Sequence, residues 1–238
     1  MSVKPFIFKE FTVNQDQCAM KIGTDGVLLG AWTAIEHFPN SILDIGTGTG
    51  IIALQLAQRS DAETIDALEI DDNAYEQAVG NFENSDWGDR LFCYHASLQL
   101  FTEEIEDTYD LIISNPPFYN DEFETENASR NKARFTSSLS FEELLISVSK
   151  LLSKEGVFSI IIPFKEEGNF IELACNVNLF PTRICRVKGH RTSDIKRSLL
   201  EFSFRKSDIE ITELIIEIER HEYTQAYKDL VSDFYLKM

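Results

Sequence analysis

The sequence has little that would anchor a metal or a disulfide framework. Its 238 residues include four cysteines, Cys18, Cys93, Cys175 and Cys185, and no CxxC pair. Neither a zinc site nor a set of disulfides is implied, and free thiols in a cytoplasmic protein are expected. The four histidines, His37, His95, His190 and His221, are scattered, with none at metal-ligand spacing, so no metal is expected. Long apolar runs are also missing. The longest, such as "VFSIIIPF", have the length of a strand and fall far short of a membrane span. The N-terminal "MSVKPFIFKEF" lacks a small-residue cleavage site after an apolar run, so no signal peptide is read there. Repeats, low-complexity tracts and linkers are absent.

Positive charge is scarce overall. The net charge of −18 speaks against broad, non-specific nucleic-acid binding. The scarcity is uneven, however. From Arg183 to Lys206 there are eight basic residues and only two acids, Asp194 and Glu201. That stretch is therefore +6 and the remainder −24. It is either a solvated hairpin or a strip that docks a polyanion.

What is present is an alternation of strand and helix from residue 41 onward. "SILDI" reads as a short buried strand, and "TIDALEI", "RLFCYHA", "YDLIIS" and "GVFSIIIPF" as four further strands. "IIALQLAQR", "NAYEQAVGNFENS" and "SFEELLISVSKLL" read as helices, the last with a capping box at Ser140 and Glu143. Such alternation implies a mostly parallel sheet covered on both faces. "EGNFIELACNVN" reads as a further helix. "FPTRICRVKG" and "RSLLEFSFRK" follow, joined by the loop "HRTSDIK", and should form an antiparallel hairpin. The expected architecture is a single α/β domain. It has an N-terminal extension (1–40), a doubly wound seven-stranded core ending in that hairpin (41–206), and a helical tail (207–238).

Two motifs carry chemistry. "LDIGTGTG" places Asp44, Gly46, Gly48 and Gly50 between a strand and a helix. An acid beside this glycine loop disfavours a pyrophosphate but suits an ammonium group, which favours S-adenosylmethionine over a dinucleotide. Glu69 ends the next strand, where a carboxylate can accept ribose hydroxyls. Asp71 is a candidate helix cap. The third strand runs into Ala96 and Ser97, placed to read an adenine edge. Lys21, Thr24 and Asp25 either wall the same pocket or cap the helix that follows.

The second motif is "SNPPF". Tandem prolines end the fourth strand, but a bare terminator needs neither Asn115 nor Phe118. The Asn115 side-chain oxygen and the Pro116 carbonyl can each accept one hydrogen of an exocyclic amine, and Phe118 can stack on a planar group. Asn115, Pro116, Pro117 and Phe118 are the candidate catalytic residues. Such a site needs no nucleophile and no metal.

The glycine loop with Asn115-Pro116-Pro117-Phe118 resembles class I S-adenosylmethionine-dependent methyltransferases acting on planar amines, over roughly residues 41 to 206. The tetrapeptide is shared by adenine N6-, guanine N2- and glutamine N5-methyltransferases, so it fixes the chemistry better than the substrate. "FKEFTVNQDQCAMKIGTDGVLLGAW", "RNKARFT" and "YTQAYKDLVSDFYL" extend the likeness to nearly the whole chain. Together they resemble the bacterial tRNA(Val) adenine-37 N6-methyltransferase family. The resemblance implies a Rossmann-like fold, S-adenosylmethionine as cofactor and N6-methylation beside the anticodon. A cytoplasmic monomer binding a tRNA anticodon loop is expected. Arg130, Arg134, Lys188, Arg191, Lys196 and Arg197 are the candidate RNA contacts. Rival readings are a ribosomal RNA guanine N2-methyltransferase, a protein glutamine N5-methyltransferase and a non-catalytic RNA-binding module.

Overall fold

A computed structural model describes residues 4–117 and 139–238. Its centre is a nine-stranded sheet. Largely buried aliphatic runs form β3 (Ser41–Ile45), β4 (Thr64–Glu69), β6 (Tyr109–Ser114) and β7 (Leu152–Pro163), and the more exposed β5 (Leu91–His95), of which only Leu91 is buried, forms the sheet edge. These five pair in parallel in the order β5-β4-β3-β6-β7. β8 (Phe180–His190) and β9 (Ile195–Ser203) make the expected hairpin. β9 inserts antiparallel between β7 and β8, which completes the seven expected strands.

The alternation of side chains decides which residues meet which layer. On β6, Leu111 and Ile113 face one apolar cluster and Ile112 the other. The first cluster is covered by α1 (Thr24–Trp32), α2 (Ile51–Arg59), α3 (Asp72–Glu83) and α7 (Gln225–Val231). The second lies beneath α4 (Leu98–Glu104), α5 (Phe141–Leu151) and α6 (Glu167–Asn176). The sheet is therefore doubly wound. The capping box of α5 is present: Ser140 Oγ accepts from the Glu143 amide at 3.2 Å, and Glu143 accepts from the Ser140 amide at 3.0 Å.

The tail differs from expectation. Within residues 207–238, read as helical, Glu210–Glu219 instead form β10, parallel to β8. β11 (Glu222–Tyr223) then pairs with β10 at the sheet edge. Only α7 is an α-helix there. The physical cause is a period of two: Leu214 and Ile216 sit on one face and pack on the first cluster, while glutamates flank them. A small ribbon of β1 (Phe6–Ile7) and β2 (Thr12–Val13) precedes α1. Its Phe8 and Phe11 join the first cluster, so the N-terminal segment is part of the core.

Candidate active site

The C-terminal ends of β3, β4, β5 and β6 open on one edge of the sheet, the place where open α/β sheets bind ligands. The glycine loop leaves β3 there. Gly46, Gly48 and Gly50 all have positive φ, 74°, 58° and 81°. A Cβ at Gly46 or Gly48 would meet nothing within 4 Å, so the loop backbone faces open space. At Gly50 the reason for glycine is different: a Cβ would lie 2.5 Å from the ring of buried Phe82.

Two carboxylates frame this cradle. Asp44 is fully buried; its Oδ2 accepts from the Thr47 hydroxyl at 2.6 Å, while Oδ1 has no hydrogen-bond partner. Burial pushes the Asp44 carboxyl up to about 7. The Thr47 hydroxyl bond pulls it back, the Ala53 amide adds to that pull without meeting hydrogen-bond geometry, and the Glu69 charge pushes it the same way as burial. Glu69 braces the loop: its Oε2 accepts from the Gly48 amide at 2.9 Å, and its Oε1 from the Ile70 and Asp71 amides. A carboxylate has about four acceptor positions, so capacity remains for a ligand hydroxyl. Asp71 is the cap of α3, accepting from the Asn73 and Ala74 amides. Ser97 caps α4, accepting from the Leu100 amide at 3.3 Å; its hydroxyl keeps a hydrogen to donate.

β6 delivers Asn115 to the same edge. Ser114 Oγ donates to the Ile45 carbonyl at 2.9 Å, which ties the end of β6 to the end of β3. Asn115 is half-buried, Pro116 buried and Pro117 exposed. Among the described residues the Asn115 side chain makes no hydrogen bond. The first turn of α1 lies against it: a Cβ at Gly26 would be 3.8 Å from Asn115 Nδ2. Phe118, Arg130 and Arg134 lie outside the described residues.

Other expectations are redirected. Neither Thr24 nor Asp25 caps α1, whose N-cap is Gly23 without a side-chain bond. Asp25 instead accepts from Arg197 Nε at 2.8 Å, which joins α1 to β9. Lys21 is exposed ahead of that helix. Lys188, read as an RNA contact, is held by Glu213 of β10 at 2.8 Å. Arg183, Arg186 and Arg205 are likewise paired, with Glu201, Glu167 and Glu155. The basic strip is thus largely neutralised by its own neighbours. Among the described residues Arg191 and Lys196 make no ion pair, and both are exposed.

Sequence reasoning missed one element of the site. Asn81 of α3 is 1% exposed and ties the N-terminal segment to the glycine loop. Its Oδ1 accepts from the Asn14 amide at 2.8 Å, and its Nδ2 donates to the carbonyls of Asn14 and Thr49 at 2.9 and 2.8 Å. Gln77, one turn earlier, accepts from the Gln17 amide at 2.8 Å. The signal was present, because Gln77 and Asn81 share the apolar face of α3 with Ala74 and Ala78. Asn81→Ala strands three backbone groups and is expected to cost about 1–3 kcal/mol. It should also weaken ligand binding at the glycine loop. Urea denaturation reads the first effect; an unchanged midpoint would contradict this bracing role.

The comparisons with known proteins agree with this geometry. Residues 23–139 match the model of the methyltransferase small domain. A tRNA1(Val) (adenine(37)-N6)-methyltransferase of Christiangramia forsetii is 62% identical over 240 residues, covering 100% of both chains. The Flavobacterium johnsoniae protein of the same name is 60% identical, covering 98% of this chain and 100% of its own. That of Bacteroides fragilis is 45% identical over the full length of both. Among solved structures, a predicted O-methyltransferase from Agrobacterium tumefaciens superposes with a TM-score of 0.69 at 20% identity. It covers 88% of this chain and 96% of that one, and it supports the fold alone. Full-length similarity at this level, on a Rossmann-like methyltransferase fold, shows that the chain belongs to the tRNA1(Val) (adenine(37)-N6)-methyltransferase family.

Proposed function

We propose that this protein transfers a methyl group from S-adenosylmethionine to the N6 amine of adenine 37 in tRNA(Val). The observation that carries the chemistry is Asn115. Its half-buried amide, without a hydrogen-bond partner among the described residues, stands at the same sheet edge as the open glycine cradle. The full-length relatives bearing that substrate in their names support the choice of base.

The residues present fit the cofactor. The orphaned Asp44 Oδ1 suits its ammonium group, the remaining acceptor capacity of Glu69 suits its ribose hydroxyls, and the space before Gly46 and Gly48 admits its chain. When bound, S-adenosylmethionine supplies an electrophilic methyl on a sulfonium centre. The protein's own contribution is to hold the nucleophile. Asn115 Oδ1 and the Pro116 carbonyl accept the two amine hydrogens, and the nitrogen lone pair turns out of conjugation toward the methyl carbon. The amine proton leaves to solvent after transfer, so no general base is assigned. Positioning of this kind is worth roughly 7–11 kcal/mol of barrier when geometry is near ideal. We read the chain as one methyltransferase domain, since both apolar clusters share the one sheet. A tRNA substrate places its work in the cytoplasm.

Cofactor affinity should depend on pH through Asp44. The carboxyl titrates near 7 in the free protein, and an ammonium ligand prefers the carboxylate. Binding is therefore expected to be about tenfold weaker at pH 6 than at pH 8. The stability contribution has the opposite sense. A carboxyl raised above its unfolded value favours folding at low pH, and that contribution is lost as pH rises through about 7. Calorimetry at the two pH values checks the affinity, with Asp44→Asn expected to flatten the profile. A pH-independent affinity in the unsubstituted protein would remove Asp44 from the ammonium site.

The reaction itself is tested by incubating the protein with methyl-labelled cofactor and either unmodified tRNA(Val) or ribosomal RNA, followed by nucleoside analysis. N6-methyladenosine from tRNA(Val) alone is expected. N2-methylguanosine from ribosomal RNA would keep the role of Asn115 and replace the substrate.

A further inference from the structure

A groove of about 860 Å³ lies on the sheet edge that carries Asn115, farther along the strand order. Strand register fixes its position. Ser114 pairs with Ile160 on β7, and three residues on, Pro163 pairs with Arg197 on β9. His190 at the end of β8 in turn pairs with Glu217 on β10. Asn115, Lys196, His190 and Glu217 therefore follow one another across β6, β7, β9, β8 and β10. Measured across the sheet at about 4.8 Å per strand, Lys196 is roughly 10 Å and Glu217 roughly 20 Å from Asn115, and the register carries both farther out along the strand direction, Lys196 by about three residues or roughly 10 Å. Thr24, at the start of the helix that abuts Asn115, lines its near end.

The wall chemistry is specific. Half-buried rings of Phe6, Tyr223 and Tyr235 line the groove together with exposed Lys196 and Lys237. Tyr223 packs on Tyr227 with centroids 5.2 Å apart, and Phe6 meets Tyr235 edge-on at 6.1 Å, so the rings are held in place. Neither lysine makes an ion pair among the described residues, and Glu217 is the one acidic side chain of the lining. On a chain of net charge −18, this is an unusual place to leave two cations unneutralised. Most arginines and lysines of the neighbouring hairpin are paired with carboxylates. Fixed aromatic faces beside uncompensated lysines match the requirements of single-stranded nucleic acid, whose bases stack while its phosphates pair.

We infer that this groove binds the single-stranded nucleotides flanking the target adenine, with bases against the Tyr223 and Tyr235 rings and phosphates at Lys196 and Lys237. The inference rests on the RNA-methylating reading above. The test measures binding of an unmodified tRNA(Val) anticodon stem-loop by fluorescence anisotropy across a salt series, with methyl transfer on the same RNA. The double variant Lys196→Ala/Lys237→Ala should bind about tenfold more weakly, with a salt slope lower by about 2. Tyr223→Leu keeps an apolar side chain and loses the stacking face; it should bind more weakly with the salt slope unchanged. Both losses should fall on KM rather than kcat, with cofactor Kd unmoved in both; the melting temperature should be unmoved in the lysine variant and lowered slightly in Tyr223→Leu, whose ring packs on Tyr227. If both variants bind and turn over the stem-loop like the unsubstituted protein, the groove is not an RNA site and the methylation reading stands. If the unsubstituted protein methylates a protein and no RNA, both fall together.

Discussion

Replacing Asn115 with alanine is expected to lower kcat about 10³-fold while cofactor affinity stays within about threefold. The asymmetry follows from where the side chain sits. Asn115 stands at the end of β6, and the groups suited to the cofactor are Asp44, Glu69 and the glycine loop on β3 and β4. Losing one of two acceptors lets the amine stay flat and conjugated, which should raise the barrier by about 4 kcal/mol. Asn115→Asp is the informative companion. It retains acceptor oxygens of similar reach and should recover part of the rate that alanine loses. Single-turnover kinetics with saturating RNA separates this chemical step from binding. An alanine variant with near-normal turnover would remove Asn115 from the reaction.

Gly50→Ala is expected to destabilise the protein by about 2–5 kcal/mol. Two causes add. A side chain at φ 81° carries about 1–2 kcal/mol of backbone strain. The new methyl would also stand 2.5 Å from Phe82, whose ring is fixed in the first cluster, and overpacking typically costs 1–3 kcal/mol. The causes are separable by a double-mutant cycle. In a Phe82→Leu background the steric part should shrink by about 1–2 kcal/mol while the backbone part stays. Urea midpoints measure all four proteins. Strict additivity of the two substitutions would show that the ring is not what excludes a side chain at Gly50.

Much of this site was legible in the sequence because it depends on local order. The glycine loop sits between a buried strand and a helix, and Asn115 follows a strand ended by prolines; each is a short-range pattern. Pairing partners were not legible. Asp25 and Arg197 are 172 residues apart, and nothing in either neighbourhood names the other. The +6 stretch looked like free cationic surface because sequence shows charge but not its neutralisation by Glu167, Glu201 and Glu213. β10 was missed for a different reason. Its one-sided Leu214 and Ile216 make a half-buried edge strand, and its exposed glutamates dilute the apolar signal. The contact of Asn81 with the N-terminal segment arises only when α3 is packed beneath residues 14–17.

Where the methyl group lands is decided by a site-specific measurement. A tRNA(Val) transcript, and the same transcript with adenine 37 replaced by guanine, would each be treated with the protein and S-adenosylmethionine. Nuclease digestion and mass spectrometry would then locate any added methyl. One methyl is expected, on the N6 position of adenine 37, in the first transcript and none in the second. Equal methylation of both transcripts, or a methyl at another base of the first, would contradict it.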